Sequence, residues 1–102
     1  MAVQQWMPVD VRQRMKERRP LQIIDVREPS EFASGHIPGA KLIPLGQLMH
    51  RTSEINPNEE CVVVCRSGSR SSMACQFLQQ QGFHNVHNLM GGMVYWDGEV
   101  TY

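Results

Sequence analysis

The chain has no net charge to offer a partner: ten Lys and Arg balance ten Asp and Glu over 102 residues. No global field therefore draws it to nucleic acid or to an anionic membrane surface. No apolar run approaches the roughly 18 residues needed to cross a bilayer. Met1 to Met7 has neither a basic start nor an apolar signal core, so a cytoplasmic location is expected. Cysteine is scarce. The three residues Cys61, Cys65 and Cys75 are odd in number and lack framework spacing, which argues against a disulfide scaffold. Cys61 and Cys65 stand four apart on one strand, too far for a bridge. Together with His36, His50, His84 and His87 they give no zinc spacing. No metal and no other cofactor is expected. There is no internal repeat, low-complexity tract or linker, and the length fits one domain, residues 1–102. A chain of this size buries about 65% of its unfolded surface, enough for a core without disulfide or metal.

What is present is an alternation of strand and helix signals, which favours an α/β fold with a mostly parallel sheet. Val3 to Trp6 reads as a short edge strand. Pro8 suits a first helical position, and Val9 to Arg18 reads as a polar surface helix. Leu21 to Val26 is the next strand. Ser30 to Ser34 makes one helical turn ended by Gly35, and Lys41 to Ile43 a short strand. Pro44 to His50 reads as a short helix and Thr52 to Glu60 as a polar loop around Asn56-Pro57-Asn58. Cys61 to Val64 is a buried strand. Ser71 to Gln81 is a helix with Met73, Ala74, Phe77 and Leu78 on its apolar face and Gly82 as its C′ residue. Asn85 to Leu89 is the last strand, and Met93 to Trp96 a short helix after Gly91-Gly92.

The most informative stretch is Cys65-Arg66-Ser67-Gly68-Ser69-Arg70. It joins the end of the Val-rich strand to a helix, the place where open parallel sheets bind ligands. Backbone N–H groups of such a loop turn inward to form an anion-binding nest, and the helix N-terminus adds partial positive charge. A thiol held there is biased toward thiolate, with a pKa that such sites lower to about 3.5–7.5. Arg70 at the helix start opposes the helix dipole, which favours a role in attracting an anion. Arg66 is expected to point outward at the pocket mouth. Gly68 supplies a backbone conformation closed to other residues. Ser67 and Ser69 either donate hydroxyls to a bound anion or cap the helix. Cys61 and Cys75 are read as packing residues.

Ile24-Asp25-Val26-Arg27-Glu28, Phe32, Gly35-His36-Ile37-Pro38-Gly39-Ala40, the Cys65–Arg70 loop with Ser71, and Gly91-Gly92 followed by Trp96 occur in an order and spacing that resemble the single-domain rhodaneses, a sulfurtransferase family. The resemblance runs from about Leu21 to Trp96. It implies a three-layer α/β/α fold with a central, mostly parallel five-stranded sheet. It implies Cys65 as the catalytic residue that carries sulfane sulfur as a persulfide, with Arg66, Ser67, Gly68, Ser69 and Arg70 lining the substrate site. It also implies structural roles for Asp25 and Arg27, for which Glu28 and Glu31 are candidate ion-pair partners. The implied partners are a small-molecule sulfane donor such as thiosulfate and a thiol or cyanide acceptor, with a thiol protein as a further acceptor. His36 is read as hydrogen-bonded structure, and the seven Met as gap fillers.

Three other readings compete. A Cys-loop phosphatase or arsenate reductase has five residues between its Cys and Arg, whereas four separate Cys65 from Arg70 here. A regulatory module of the same family often lacks the Cys. A persulfide carrier for a protein partner keeps the chemistry and would show an apolar patch near Met90, Met93 or Tyr95.

Overall fold

In this computed structural model, which describes residues 2–102, five strands and four α-helices alternate along the chain. They are β1 (Gln4–Trp6), α1 (Pro8–Lys16), β2 (Gln22–Asp25), α2 (Pro29–Ala33), β3 (Lys41–Leu42), β4 (Cys61–Val64), α3 (Ser69–Gln80), β5 (Val86–Leu89) and α4 (Gly92–Tyr95). Two 3-10 segments, Leu45–His50 and Thr52–Glu54, lie between β3 and β4. The polar loop expected from Thr52 therefore begins with a short turn of helix. The strand order is β1-β5-β4-β2-β3, and every pairing is parallel.

Strand alternation sends successive side chains of β4 to opposite faces. Cys61, Val63 and Cys65 meet Ala74, Cys75 and Leu78 of α3 in one core, with Ile24, Ile43 and Leu48. Val62 and Val64 meet Val11 of α1, Trp6 and Leu89 in the other. Both faces of the sheet are covered, so β4 and β5 are buried along their whole length and a run such as Val62-Val63-Val64 is tolerated on either side. The sheet sits between two helical layers, as the resemblance implies.

The helix α3 departs from its expected pattern in two ways. It begins at Ser69 rather than Ser71, because Gly68 occupies the N-cap with φ +102°. Its buried face is Ser71, Ala74, Cys75 and Leu78, while Met73 is 60% exposed. The apolar face is thus rotated toward the strand that carries Cys65. The methionines are not mainly gap fillers either, since Met7, Met49, Met73 and Met90 all stand out in solvent.

The expected ion pairs of Arg27 are corrected as well. Its guanidinium binds neither Glu28 nor Glu31. It grips Asp25, with Nε 3.0 Å from Oδ1 and Nη2 2.8 Å from Oδ2, and Nη2 also donates to the Gly35 carbonyl at 2.8 Å. Both residues are buried. Two positions apart in extended chain, they project from the same side. The pair closes the carboxyl end of β2, beside Val64, whose carbonyl accepts from the Val26 N–H.

Candidate active site

The carboxyl ends of β2, β4 and β5 lie side by side in register, Asp25 opposite Val64 and Val63 opposite Asn88. Cys65 leaves this edge as the first residue after β4 and is fully buried. The chain then curls over its sulfur. Gly68 N–H donates to Sγ at 3.0 Å, and the Ser71 hydroxyl lies 3.2 Å from it. The positive φ at Gly68 turns the loop into α3, so the start of a 12-residue helix points at the thiol.

The second glycine that matters is Gly92, with φ +56°. A Cβ there would stand 2.4 Å from the Cys65 carbonyl oxygen and 2.6 Å from that of Arg66. The gap lets Met93 N–H reach the Cys65 carbonyl at 2.9 Å and Val94 N–H reach the Arg66 carbonyl at 3.0 Å. The outward carbonyls of the loop are thereby held from behind, leaving its N–H groups free to turn inward.

Burial opposes ionisation of the Cys65 thiol. The Ser71 hydroxyl and the N–H groups of Ser71, Gly68 and Ser67 outweigh it, and the pKa falls below the ordinary thiol value. Cys61 and Cys75 have no such donors, and burial pushes each up to about 12. Iodoacetamide at neutral pH is accordingly expected to alkylate Cys65 ahead of Cys61 and Cys75, with a rate–pH midpoint below the ~8.5 of a free thiol. Peptide mapping reads this directly; equal labelling of the three, or a midpoint at or above that of a free thiol, would contradict it.

The remaining loop residues separate into two groups. Arg66, Ser67 and Ser69 are exposed on the outer side. Neither serine caps α3, because Gly68 holds the cap position without a side-chain bond. Arg70 is turned away from an open anion-attracting posture. Its Nη1 and Nη2 each bind one oxygen of Glu31 at 2.8 Å. This fork, followed by the Glu28 N–H, lowers the Glu31 carboxyl from 4.5 to about 2. The sign follows from the depressed folded value: the pair stabilises the fold above pH ~4.5, and that contribution is lost as pH falls through about 2.

Three contributors were outside the sequence-derived site. Ser71 is fully buried and its hydroxyl donates to Asn88 Oδ1. Asn88 Nδ2 donates in turn to Gln5 Oε1 at 2.8 Å. The available signal was a polar pair, His87-Asn88, inside an otherwise apolar strand. The patch expected near Met90, Met93 and Tyr95 is partly present: Met90, Val94 and Tyr95 are exposed, whereas Met93 packs into the core beside α1. Among the described residues no cluster of metal-ligating side chains occurs, and no helix is long and apolar enough to cross a membrane.

The chain is similar to known proteins over most of its length. The family model described as "Rhodanese-like domain" matches residues 7–99. The chain is 42% identical over 89 residues to the "Putative sulfur carrier protein YrkF" of Bacillus subtilis, covering 87% of this chain and 48% of that one, so it spans about half of that relative. It is 38% identical over 82 residues to "Thiosulfate sulfurtransferase GlpE" of Shewanella oneidensis, covering 80% and 81% of the two chains. The crystal structure of a "Rhodanese-like Domain Protein" from Staphylococcus aureus superposes with a TM-score of 0.88 at 34% identity, over 95% and 94% of the two chains.

Proposed function

Since this chain belongs to the rhodanese-like domain family, we propose that it is a sulfurtransferase that moves sulfane sulfur through a persulfide on Cys65. The observation that carries this reading is the buried Cys65 sulfur, met by the Gly68 N–H at 3.0 Å and the Ser71 hydroxyl at 3.2 Å at the start of α3. The Cys65 thiolate attacks the outer sulfur of thiosulfate. A bond forms between Sγ and that sulfur, and the sulfur–sulfur bond of the donor breaks with its electron pair leaving on sulfite. The persulfide that remains is an anion, held by the inward N–H groups of the loop. Cyanide, or a thiolate acceptor, attacks the terminal sulfur and returns the bonding pair to Sγ. Two displacements through one covalent intermediate give ping-pong kinetics. No general base is needed, because the sulfur is already biased toward the anion.

Intact-mass analysis after incubation with thiosulfate, and again after cyanide, tests the reading. The expected result is a gain of one sulfur, mapped to Cys65 and lost as thiocyanate. No added sulfur from several sulfane donors would overturn it.

A second reading, delivery of the same sulfur to a protein thiol, is favoured by the exposed Met90, Val94 and Tyr95 beside the loop. The arginine rim bears on donor choice. With Arg70 engaged by Glu31, thiosulfate meets a mouth in which the second loop cation is already neutralised. Glu31→Gln is expected to raise kcat/KM for thiosulfate several-fold, up to about 10-fold, with the gain shrinking as salt is added. A fall instead would show that Glu31 places Arg70 for contact with the donor.

A further inference from the structure

The side chains of Cys65, Ser71, Asn88 and Gln5 form one continuous string of hydrogen bonds from the buried sulfur to the protein surface. Ser71 and Asn88 are buried; Gln5 is exposed. A string of this kind has a direction, set by its protons. In the arrangement seen, Asn88 donates to Gln5 and accepts from Ser71, so the single hydroxyl proton of Ser71 is committed to Asn88. Ser71 then meets the sulfur with a lone pair. That arrangement suits a neutral Cys65, whose S–H donates to Ser71, and it fails an anionic one, which needs a donor.

When the sulfur loses its proton, Ser71 has two acceptors and one proton. Turning the hydroxyl to the sulfur leaves two oxygens, Ser71 Oγ and Asn88 Oδ1, facing each other with no hydrogen between them. Half a turn of the Asn88 amide resolves this. Its O and NH2 ends are nearly equal in size, so the exchange needs no new space in a buried site. Nδ2 then donates to Ser71, and Oδ1 faces Gln5, whose exposed amide is free to turn and donate. Every donor now points toward Cys65. No bond is made or broken; only the direction of the string is reversed.

Resting on the reading of Cys65 as an anionic sulfur carrier, we propose that Asn88 is a positioning residue that acts through Ser71, its amide turning over whenever the sulfur becomes anionic. An amide is the side chain that fits this task, since it offers a donor and an acceptor in one plane. A carboxylate at 88 only accepts, and an aliphatic residue does neither.

Other charged and polar groups surround the sulfur. The Cys65 charge acts through space on Arg70 and Cys75 of α3. Glu31 and Glu28 at α2 act on Arg70. Arg66 lies in the loop itself, and Asp25 and Arg27 at the end of β2 bind one another. Tyr95 of α4 is exposed. His87, next to Asn88, stacks on Trp6. The Arg70 fork lowers the Glu31 carboxyl to about 2 and burial raises the Cys75 thiol to about 12, whereas the Cys65 thiol is lowered.

The test follows the side-chain amide resonances of Asn88 and Gln5 by 15N–1H NMR across a pH titration, with the Cβ resonance of 13C-labelled Cys65 giving the thiol's own midpoint. Both amides are expected to shift at the Cys65 midpoint. That step is expected to vanish in Cys65→Ser, while any step from His87 stays. In Ser71→Ala, Cys65 is expected to titrate about one pH unit higher, the worth of one hydrogen bond to an anion, and the Asn88 response is expected to disappear. An Asn88 amide that stays still while Cys65 titrates would overturn the proposal, as would an Asn88 response that survives Ser71→Ala. Because no sulfur donor is involved, these outcomes are independent of whether transfer itself is observed.

Discussion

Cys65→Ser protein given thiosulfate and cyanide is expected to form thiocyanate at the uncatalysed rate, a loss on the order of 10⁴-fold or more, as follows removal of a covalent nucleophile. The serine hydroxyl is isosteric enough to keep the Gly68 N–H and Ser71 contacts, yet it does not ionise near neutral pH, so it cannot accept a sulfur atom. Intact mass is expected to show no added sulfur. The fold should be retained, with stability within about 1 kcal/mol of wild type at mildly acid pH. At higher pH the two proteins should diverge. The folded thiol ionises more readily than the unfolded one. Its contribution is therefore complete above the unfolded pKa and is lost as pH falls through the folded one. Wild type should gain on the serine variant as pH rises through that interval. Cys61 and Cys75 are common to both proteins, so the difference between their denaturation curves isolates Cys65. Residual transfer in the variant would remove Cys65 from the mechanism.

Arg27→Ala is expected to produce the largest loss of stability, about 3–5 kcal/mol. The substitution strands the Asp25 carboxylate, which is 1% exposed, and frees the Gly35 carbonyl. Against the 5–15 kcal/mol that holds an ordinary small domain together, that loss should lower Tm by on the order of 20 °C. A double variant, Asp25→Val with Arg27→Met, should recover much of it, because replacing both charges with apolar groups leaves no buried ion unpaired. Urea titration of the three proteins gives the comparison. A loss under about 1 kcal/mol for Arg27→Ala would show that water enters and screens the pair. The effect should reach the site, since β2 pairs directly with the strand that carries Cys65.

The strand and loop at the centre of the site could be read from the chain because each signal there is local. Cys61 to Val64 is an unbroken apolar run, and the small residues after it leave few backbone options. The start of α3 was placed late because Ser69 and Arg70 look like loop residues; it is the left-handed Gly68 that admits them to the helix. Ser71 occupies an apolar-face position while being polar, and its burial makes sense only beside the sulfur. The Asp25–Arg27 pair was within reach, being two residues apart in extended chain. The Arg70–Glu31 and Asn88–Gln5 contacts were not, since they join residues 39 and 83 positions apart and depend on which strands become neighbours.

That neighbour relation has a consequence for the order of assembly. β1 pairs with β5 and with no other strand, so an early segment of the chain must wait for a late one. During synthesis, Gln5 leaves the ribosome long before Asn88 exists to receive it. The Cys65 loop waits as well, since its carbonyls are held by the Met93 and Val94 N–H groups and Ser71 is met by Asn88, all of which follow it in the chain. A partly made chain therefore holds a thiol whose hydrogen-bond string still ends in the open. Docking of β1 completes that string at the same moment that it completes the sheet, so the chemical maturity of Cys65 coincides with closure of the fold.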